Sequence, residues 1–195
     1  MEDMEKLNDE ALVRLVCDKD QELFTEIVRR YESRLLRYAM SIVKDNTKSQ
    51  DVVQNAFIKA FTNLRGFNQK LKFSSWIYRI THNEAINEIK KYHKEMSLED
   101  MPEMEMIRSS EKGADEQFDA DQERETVKKF LDALPMQYRE PLYLYHIEER
   151  SYKEISDILR IPMGTVATRI NRGKNMLKEK LSKEFKKGPY YGQTA

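Results

Sequence analysis

Apolar residues recur every three or four positions along most of this chain, and this spacing constrains its fold more than any other feature of the sequence. Gly and Pro, which interrupt helices, occur only six and five times in 195 residues. We find no convincing alternation of apolar and polar residues of the kind that a half-buried strand produces. The sequence therefore predicts an all-α fold.

The periodic segments fall into two groups, which predict two small helical domains. In the first group, helices are expected over 8–17, 20–43, 47–64 and 74–92, and in the second over 122–134 and 136–147. Pro141 is expected to kink the last of these or to mark its true start. Residues 96–121 are acidic and poor in aromatic residues, which predicts a flexible linker, and 188–195 predict a disordered tail. We therefore expect domains at 1–95 and 122–187.

The formal net charge is +0, but the charges are unevenly distributed. Residues 65–94 contain seven Lys and Arg and two acidic residues, a net charge of +5. Residues 150–187 contain eleven Lys and Arg and four acidic residues, a net charge of +7. Between these segments, 95–125 holds twelve acids against three cations, a net charge of −9. Two basic helical segments favour a nucleic-acid partner more than the balanced total suggests.

Several functional classes lack support in the sequence. Cys17 is the only cysteine, which excludes an intramolecular disulfide and a zinc site built from cysteines. The three histidines lie far apart without metal-ligand spacing, and we find no Walker loop, GxSxG or dinucleotide fingerprint. We therefore expect no catalytic residue, no metal and no cofactor. No apolar run approaches the roughly 18 residues of a membrane span, and no signal peptide is evident, so we expect a cytoplasmic protein without membrane insertion.

A helix-turn-helix pair is predicted near the end of the chain. Ser151 and Glu154 have the spacing of a capping box at the start of one helix, and the next helix is expected to begin near Pro162. At 100° per residue, the last helix separates its apolar and polar side chains onto opposite faces. The apolar face, which we expect to pack on Ile155 and Leu159, contains Val166, Ile170, Gly173, Leu177 and Leu181.

The opposite face of that last helix carries side chains of the types that read bases. It contains Thr168, Asn171, Arg172 and Asn175, flanked by Lys174 and Lys178. Arg can form two hydrogen bonds with guanine, and Asn can do the same with adenine. The amino-terminal half of such a helix enters the major groove, so this face predicts contact with duplex DNA.

The helix over 74–92 has a polar stripe headed by an aromatic ring. The stripe consists of Trp76, Arg79, Asn83, Asn87, Lys90 and Lys94. Rings among cations and amides suit unstacked bases and their phosphates, and the preceding loop, 66–73, adds two Phe and two Lys that could hold a flipped base. Alternatively, Trp76 closes the domain core. Both interpretations hold if the ring packs one edge and exposes the other.

The helix over 47–64 has a second outward-facing strip. It contains Asp51, Gln54 and Ile58, to which Val52 could be added. An apolar residue among polar ones on an outer surface favours contact with another protein, although an unremarkable surface is the alternative.

Three blocks of this sequence resemble, in order and spacing, those of bacterial extracytoplasmic-function (ECF) sigma factors of the sigma-70 family. The blocks are DVVQNAFIKAF (51–61), FSSWIYRITHN (73–83), and LPMQYR (134–139) followed by SYKEI (151–155) and IPMGTV (161–166). The resemblance spans 8–185 apart from the linker. It implies a transcription initiation factor that directs core RNA polymerase to specific promoters.

The resemblance also implies roles for particular residues. The first block would dock on the coiled coil of the polymerase β′ subunit through Asp51, Gln54, Phe57 and Ile58. The melted −10 element would be bound by Trp76, Arg79, Asn83, Asn87, Lys90, Phe67, Asn68 and Lys72. The −35 duplex would be contacted by Ser151, Lys153, Thr165, Thr168, Arg169, Asn171, Arg172 and Lys174, with Ser151 and Lys153 on phosphates.

The resemblance further implies partners and a setting. It implies a second polymerase contact at the β flap, promoter DNA, and an anti-sigma partner, membrane-anchored in many such systems, that controls a stress response. We expect a monomer without catalysis of its own. Two other interpretations remain open, namely a helix-turn-helix regulator that binds DNA without polymerase, and a nucleic-acid enzyme, for which no motif is found.

Overall fold

In the computed structural model, which describes residues 7–68, 71–96 and 129–185, every regular element is helical. These helices form two compact units, each described separately below. The first unit is built on α1 (Asp9–Asp18), α2 (Phe24–Val43), α3 (Asn46–Thr62) and α4 (Phe73–Met96). The second contains α5 (Met136–His146) and α7 (Met163–Phe185). It also contains residues 152–155, which begin α6 (Tyr152–Leu159). The predicted all-α fold is confirmed.

Side-chain caps define where the helices of the first unit begin. The Asn8 side chain accepts a hydrogen bond from Ala11 N–H at 2.8 Å and caps the start of α1. The Asp45 carboxylate accepts from Lys48 N–H at 2.9 Å and starts α3. Lys44, just before it, ends α2 with a left-handed φ of 63°. The predicted helix over 20–43 is wrong at its start, because Gln21–Leu23 forms a separate 3₁₀ turn.

The core of the first unit is formed by aromatic and branched side chains from all four helices. Its largest fully buried members include Leu12, Ile27, Leu35, Tyr38, Phe73, Ile77 and Tyr78. The rings of Tyr38 and Tyr78 pack 5.2 Å apart and join α2 to α4. One assignment on α3 needs correction. Val52 is buried rather than outward-facing. On the same helix, Phe61 is 40% exposed and packs edge-on against Phe24 at 5.0 Å.

Polar contacts fix α1 on α2. Asp9 accepts hydrogen bonds from the hydroxyl of Tyr31 and from the guanidinium of Arg30. The same guanidinium donates to the Leu7 carbonyl at 2.8 Å and to the Glu26 carboxylate at 2.9 Å. Because these groups are part-buried and each is hydrogen-bonded, they set the position of α1 more firmly than apolar contact alone would.

In the second unit, α5 runs through Pro141, whose side chain is buried. The helix begins at Met136, so the interpretation that Pro141 marks its start is wrong. The Arg139 guanidinium donates to the Asp132 carbonyl at 2.9 Å and ties the helical residues 129–132 to α5. The apolar face of α7 packs along α5, with Gly173 so close that a Cβ there would lie 3.2 Å from the Tyr138 carbonyl oxygen.

The remaining sequence predictions concern segments at the ends of these ranges. α4 extends to Met96 rather than residue 92, so residue 96 belongs to this helix and not to the predicted linker. The predicted helix over 122–134 is helical at 129–132, and its residues 122–128, the rest of the acidic linker and the tail over 188–195 lie outside the described residues. Within the described ranges, no helix combines the length and the apolar character needed to cross a bilayer.

Candidate nucleic-acid interfaces

A polar groove of about 550 Å³ runs along α4 beside the end of α3. It is lined by Lys59, Asn63, Trp76, Ile80, His82, Asn83, Glu84, Ile86, Asn87 and Lys90. Four residues of the predicted stripe, Trp76, Asn83, Asn87 and Lys90, therefore share one concave surface, because their spacings of seven, four and three repeat along one helical face. Asn83, Asn87 and Lys90 are exposed, which leaves their polar groups accessible to a ligand.

Trp76 is held at the head of this groove by two other rings. Its indole lies 5.1 Å from the Phe67 ring and 5.6 Å from the Phe73 ring, and these two rings lie 5.6 Å apart. Trp76 is half-buried, so it packs against this cluster and still lines the groove. Both interpretations of Trp76 are therefore compatible with the structure. Phe67 requires a correction, since it is only 5% exposed and acts as support for Trp76 rather than as a surface ring.

The groove also contains an ion pair that sequence reasoning missed. Lys59 Nζ lies 2.7 Å from the Glu84 carboxylate, and this contact joins α3 to α4 across 25 positions of sequence. The Glu84 side chain is 13% exposed and that of Lys59 is 53% exposed. No local pattern marks such a pair, because only the packing of α3 on α4 brings the two residues together. Through this pair, Glu84 adds a carboxylate to the groove lining.

The other predicted −10 residues differ in accessibility. Asn68 and Lys72, on the loop before α4, are exposed, and the Asn68 carbonyl accepts a hydrogen bond from Leu71 N–H at 2.9 Å. Residues 69 and 70 lie outside the described ranges. Arg79 is half-buried. The loop therefore exposes the amide of Asn68 and the ammonium group of Lys72 near the start of α4, while the Phe67 ring is buried.

The predicted docking strip on α3 is largely accessible. Asp51 and Gln54 are exposed, and Ile58 is 54% exposed, which is high for a large apolar side chain. Phe57 is only 8% exposed and packs edge-on against Phe24 at 6.3 Å, so it belongs to the core. The accessible strip consequently consists of Asp51, Gln54 and Ile58.

The capping box at the start of α6 is present with both of its reciprocal contacts. Glu154 N–H donates to Ser151 Oγ at 3.3 Å, and Ser151 N–H donates to Glu154 Oε2 at 3.0 Å. The Ser151 hydroxyl also donates to Glu154 Oε2 at 2.6 Å, so its only proton is already used. To donate to another group, the Ser151 hydroxyl would have to give up its bond to Glu154 Oε2, whereas Lys153 is exposed and its ammonium has three donors.

The predicted helix-turn-helix connection is confirmed in its local geometry. α6 ends at Leu159 and α7 begins at Met163, which leaves a three-residue turn of the predicted kind. Arg160 opens the turn with a left-handed φ of 56°. The Pro162 carbonyl accepts from Thr165 N–H at 2.9 Å and from Val166 N–H at 3.0 Å, which starts α7.

The polar face of α7 is accessible as predicted. Thr168, Asn171, Arg172 and Lys174 are exposed, whereas Thr165 and Arg169 are half-buried. The Thr168 hydroxyl donates to the Gly164 carbonyl at 2.8 Å, so this side chain retains only its acceptor capacity for DNA. On the predicted apolar face, Val166, Ile170 and Gly173 are buried, whereas Leu177 and Leu181 are half-buried.

A groove of about 250 Å³ borders this polar face. Its lining consists of Gln137 and Tyr138 from α5 and Gly164, Thr165, Thr168, Arg169 and Arg172 from α7. Sequence reasoning missed the two residues of α5, because their proximity to α7 follows from helix packing rather than from any motif. The groove therefore combines two guanidinium groups with hydroxyl and amide groups.

Beyond that groove, Lys174 extends toward the carboxyl end of α5. Its Nζ lies 5.3 Å from the centre of the Tyr145 ring. Burial and, to a smaller extent, the Lys174 charge lower the pKa of His146, so this imidazole is neutral at neutral pH. Among the residues that the structure describes, no group of three or more His, Cys, Asp and Glu side chains is arranged to hold a metal ion.

The turn between α6 and α7 places this protein in the helix-turn-helix class. The first unit adds a separate polar groove with Trp76 at one end. Family models match both parts of the chain. Sigma-70 region 2 matches residues 27–95, and sigma-70 region 4 matches residues 124–177. The first match covers most of α2, all of α3 and α4 up to residue 95, and the second covers α5, α6 and most of α7.

Relatives match nearly the whole chain. It is 32% identical over 178 residues to the ECF RNA polymerase sigma factor SigW of Bacillus subtilis, covering 87% of this chain and 94% of that protein. It is 30% identical over 184 residues to the ECF RNA polymerase sigma-E factor of Escherichia coli K12, covering 91% and 96%. The chain belongs to the ECF RNA polymerase sigma factors of the sigma-70 family.

Solved structures share the same fold. The structure of CnrH in complex with the cytosolic domain of CnrY has a TM-score of 0.67 at 24% identity and covers 89% of this chain and 97% of CnrH. The sigma factor RpoE of Bartonella quintana, solved with the anti-sigma factor NepR, has a TM-score of 0.65 at 24% identity and covers 82% and 96%.

Proposed function

We propose that the two interfaces act on two different states of promoter DNA, with the α4 groove holding the melted −10 element and the α7 face reading the −35 duplex. The observation that carries the first part is the position of Trp76. A ring that is fixed by Phe67 and Phe73 and still lines a groove offers a rigid stacking surface for an unstacked base.

The groove beyond Trp76 offers the polar groups that an unstacked strand needs. Asn83 and Asn87 each present an amide with both donors and an acceptor, which can bind the edge of a base. Lys90, farther along the same face, suits a phosphate. Taking a base out of the stack costs a few kcal/mol, and contacts of this kind return that energy in the open complex.

On the −35 side, the proposal is supported by the exposure of Asn171 and Arg172 on one face of α7. Both side chains are of types that form two hydrogen bonds with a base edge in the major groove. Lys153 and Lys174 are assigned to phosphates, because an ammonium group contributes charge with little geometric selectivity. Ser151 is assigned to the α6 cap alone.

Docking on core polymerase is assigned to the accessible strip of Asp51, Gln54 and Ile58 on α3. Exposed Ile58 is the apolar anchor, and the two polar residues precede it by seven and four positions on the same helical face. The second domain would contact the β flap. The protein would act in the cytoplasm as a monomeric initiation factor without catalysis of its own.

A protein inhibitor is part of the proposal. The structural neighbours CnrH and RpoE were solved with the cytosolic domain of CnrY and with the anti-sigma factor NepR. We assign to this chain an anti-sigma partner of the same general kind, one that would be membrane-anchored and would release the protein during a stress response.

Run-off transcription tests the proposed function. The full chain is combined with core RNA polymerase on a promoter library randomised across both elements, and transcripts are sequenced. We expect enrichment of one two-element promoter that requires both the protein and the core enzyme. A protein that selects duplex DNA equally well without core polymerase would instead be a helix-turn-helix regulator that acts alone.

A further inference from the structure

Gly164, in the first turn of α7, has no role in the fold that explains the absence of a side chain. A Cβ built on this residue would meet nothing within 4 Å. The residue is exposed, and none of the glycines in the described ranges has a positive φ, so its backbone conformation is one that any L-residue adopts. Glycine nevertheless costs conformational entropy in a helix, which the fold does not repay here.

Gly173, two and a half turns later on the same helix, shows the opposite situation. A Cβ there would lie 3.2 Å from the Tyr138 carbonyl oxygen and 3.5 Å from the Tyr138 Cβ. The close packing of α7 on α5 therefore requires glycine at 173. Packing within the described part of the chain therefore accounts for glycine at 173 but not at 164.

The groove beside Gly164 indicates what could occupy the open space next to this residue. Its lining includes Arg169 and Arg172 together with Gln137, and among the described residues that form it there is no carboxylate. Such a surface is complementary to an anion of extended shape. The Thr168 hydroxyl donates to the Gly164 carbonyl at 2.8 Å, and Gly164 itself is exposed and lines this groove.

We propose that Gly164 is a clearance residue, whose missing side chain lets the sugar–phosphate backbone of the −35 duplex approach the main chain of α7 along the groove formed with Gln137. This inference rests on the proposed function of α7. It adds a residue that acts by leaving space rather than by making a hydrogen bond, and it extends the −35 surface to α5.

The test compares variants of the full chain bound to core polymerase, with the −35 duplex selected from a randomised library as the probe and an unrelated duplex beside it. Gly164→Ala should keep or slightly raise the thermal midpoint. It should weaken binding of both duplexes by about tenfold, since a methyl group forced into an occupied contact carries a penalty of that order. The preferred −35 sequence should stay unchanged.

Ser182→Ala, an exposed substitution late in the same helix, is the matched control and should leave duplex binding at the wild-type level. A wild-type protein that selects no duplex would remove the proposed function itself, which separates the two failures. Wild-type affinity in Gly164→Ala, a lowered thermal midpoint, or a changed sequence preference would each overturn the clearance role.

Discussion

The Glu10 carboxylate, on α1, accepts a hydrogen bond from the backbone N–H of Phe73 at 2.9 Å. Phe73 is the first residue of α4, so its N–H has no partner within the helix. A residue 63 positions away thus caps the helix that carries the polar groove, and its negative charge lies at the positive end of the helix dipole.

The Glu10 contact makes a testable contribution to stability. Glu10→Ala should lower the free energy of unfolding of the first domain by about 1 kcal/mol, because it removes both the cap and the charge. Glu10→Gln, which keeps an acceptor, should lose less. Chemical denaturation measures the effect, with exposed Glu22→Ala as the control. Equal stability of Glu10→Ala and wild type would show that the contact is not formed in solution.

The acid dependence of stability should depend in part on Glu26. Hydrogen bonds from Arg29 and then Arg30 lower its pKa from 4.5 to about 2. Because the folded-state pKa is the lower one, this stabilisation is fully present above about pH 4.5 and is lost as the pH falls toward 2. Glu26→Gln should therefore flatten the stability profile across that window in acid titration, whereas exposed Glu32→Gln should not. An unchanged slope would contradict this assignment.

The ion pair between Lys59 and Glu84 should lower the positive charge that the α4 groove offers to DNA. Glu84→Gln should cost less than about 1 kcal/mol of stability, because Lys59 is half exposed. It should strengthen holoenzyme binding to a single-stranded −10 oligonucleotide and steepen the salt dependence by about 0.7 in the log–log slope, since Lys59 becomes available for a phosphate. Glu88→Gln, outside the groove lining, controls for charge alone. Weaker binding by Glu84→Gln would contradict this role.

Two cations on α7 should behave differently. Arg172→Ala should weaken binding of the −35 duplex by about 1–3 kcal/mol and relax base preference at one position, because Arg binds a base edge through two hydrogen bonds. Lys178→Ala should weaken binding with little change in preference, because a phosphate contact carries no sequence information directly. Quantitative binding to a library of duplexes measures both. A preference altered by Lys178→Ala but not by Arg172→Ala would reverse the face assignment.

Sequence reasoning predicted most local structure here, because helix periodicity and caps are encoded by neighbouring residues. Ser151 and Glu154 form the capping box that their spacing indicated, and the face of α7 follows from its 100° repeat. Contacts between distant segments were not predictable in this way. Glu10 and Phe73 meet only after α1 and α4 pack, and periodicity alone cannot tell that Phe67 is buried while Phe61 is partly exposed.

The central claim is that the α4 groove holds melted DNA. Measuring promoter opening by polymerase that carries the Asn83→Ala variant tests this claim most directly. Asn83 is exposed in the groove, so folding, polymerase binding and closed-complex formation on the −35 duplex should remain near normal. Permanganate reactivity of −10 thymines in the holoenzyme complex should fall, and a template mismatched across the −10 region should recover part of that loss, because its melting cost is already met. Wild-type permanganate reactivity together with an unchanged −10 preference would contradict the account and remove Asn83 from the DNA interface.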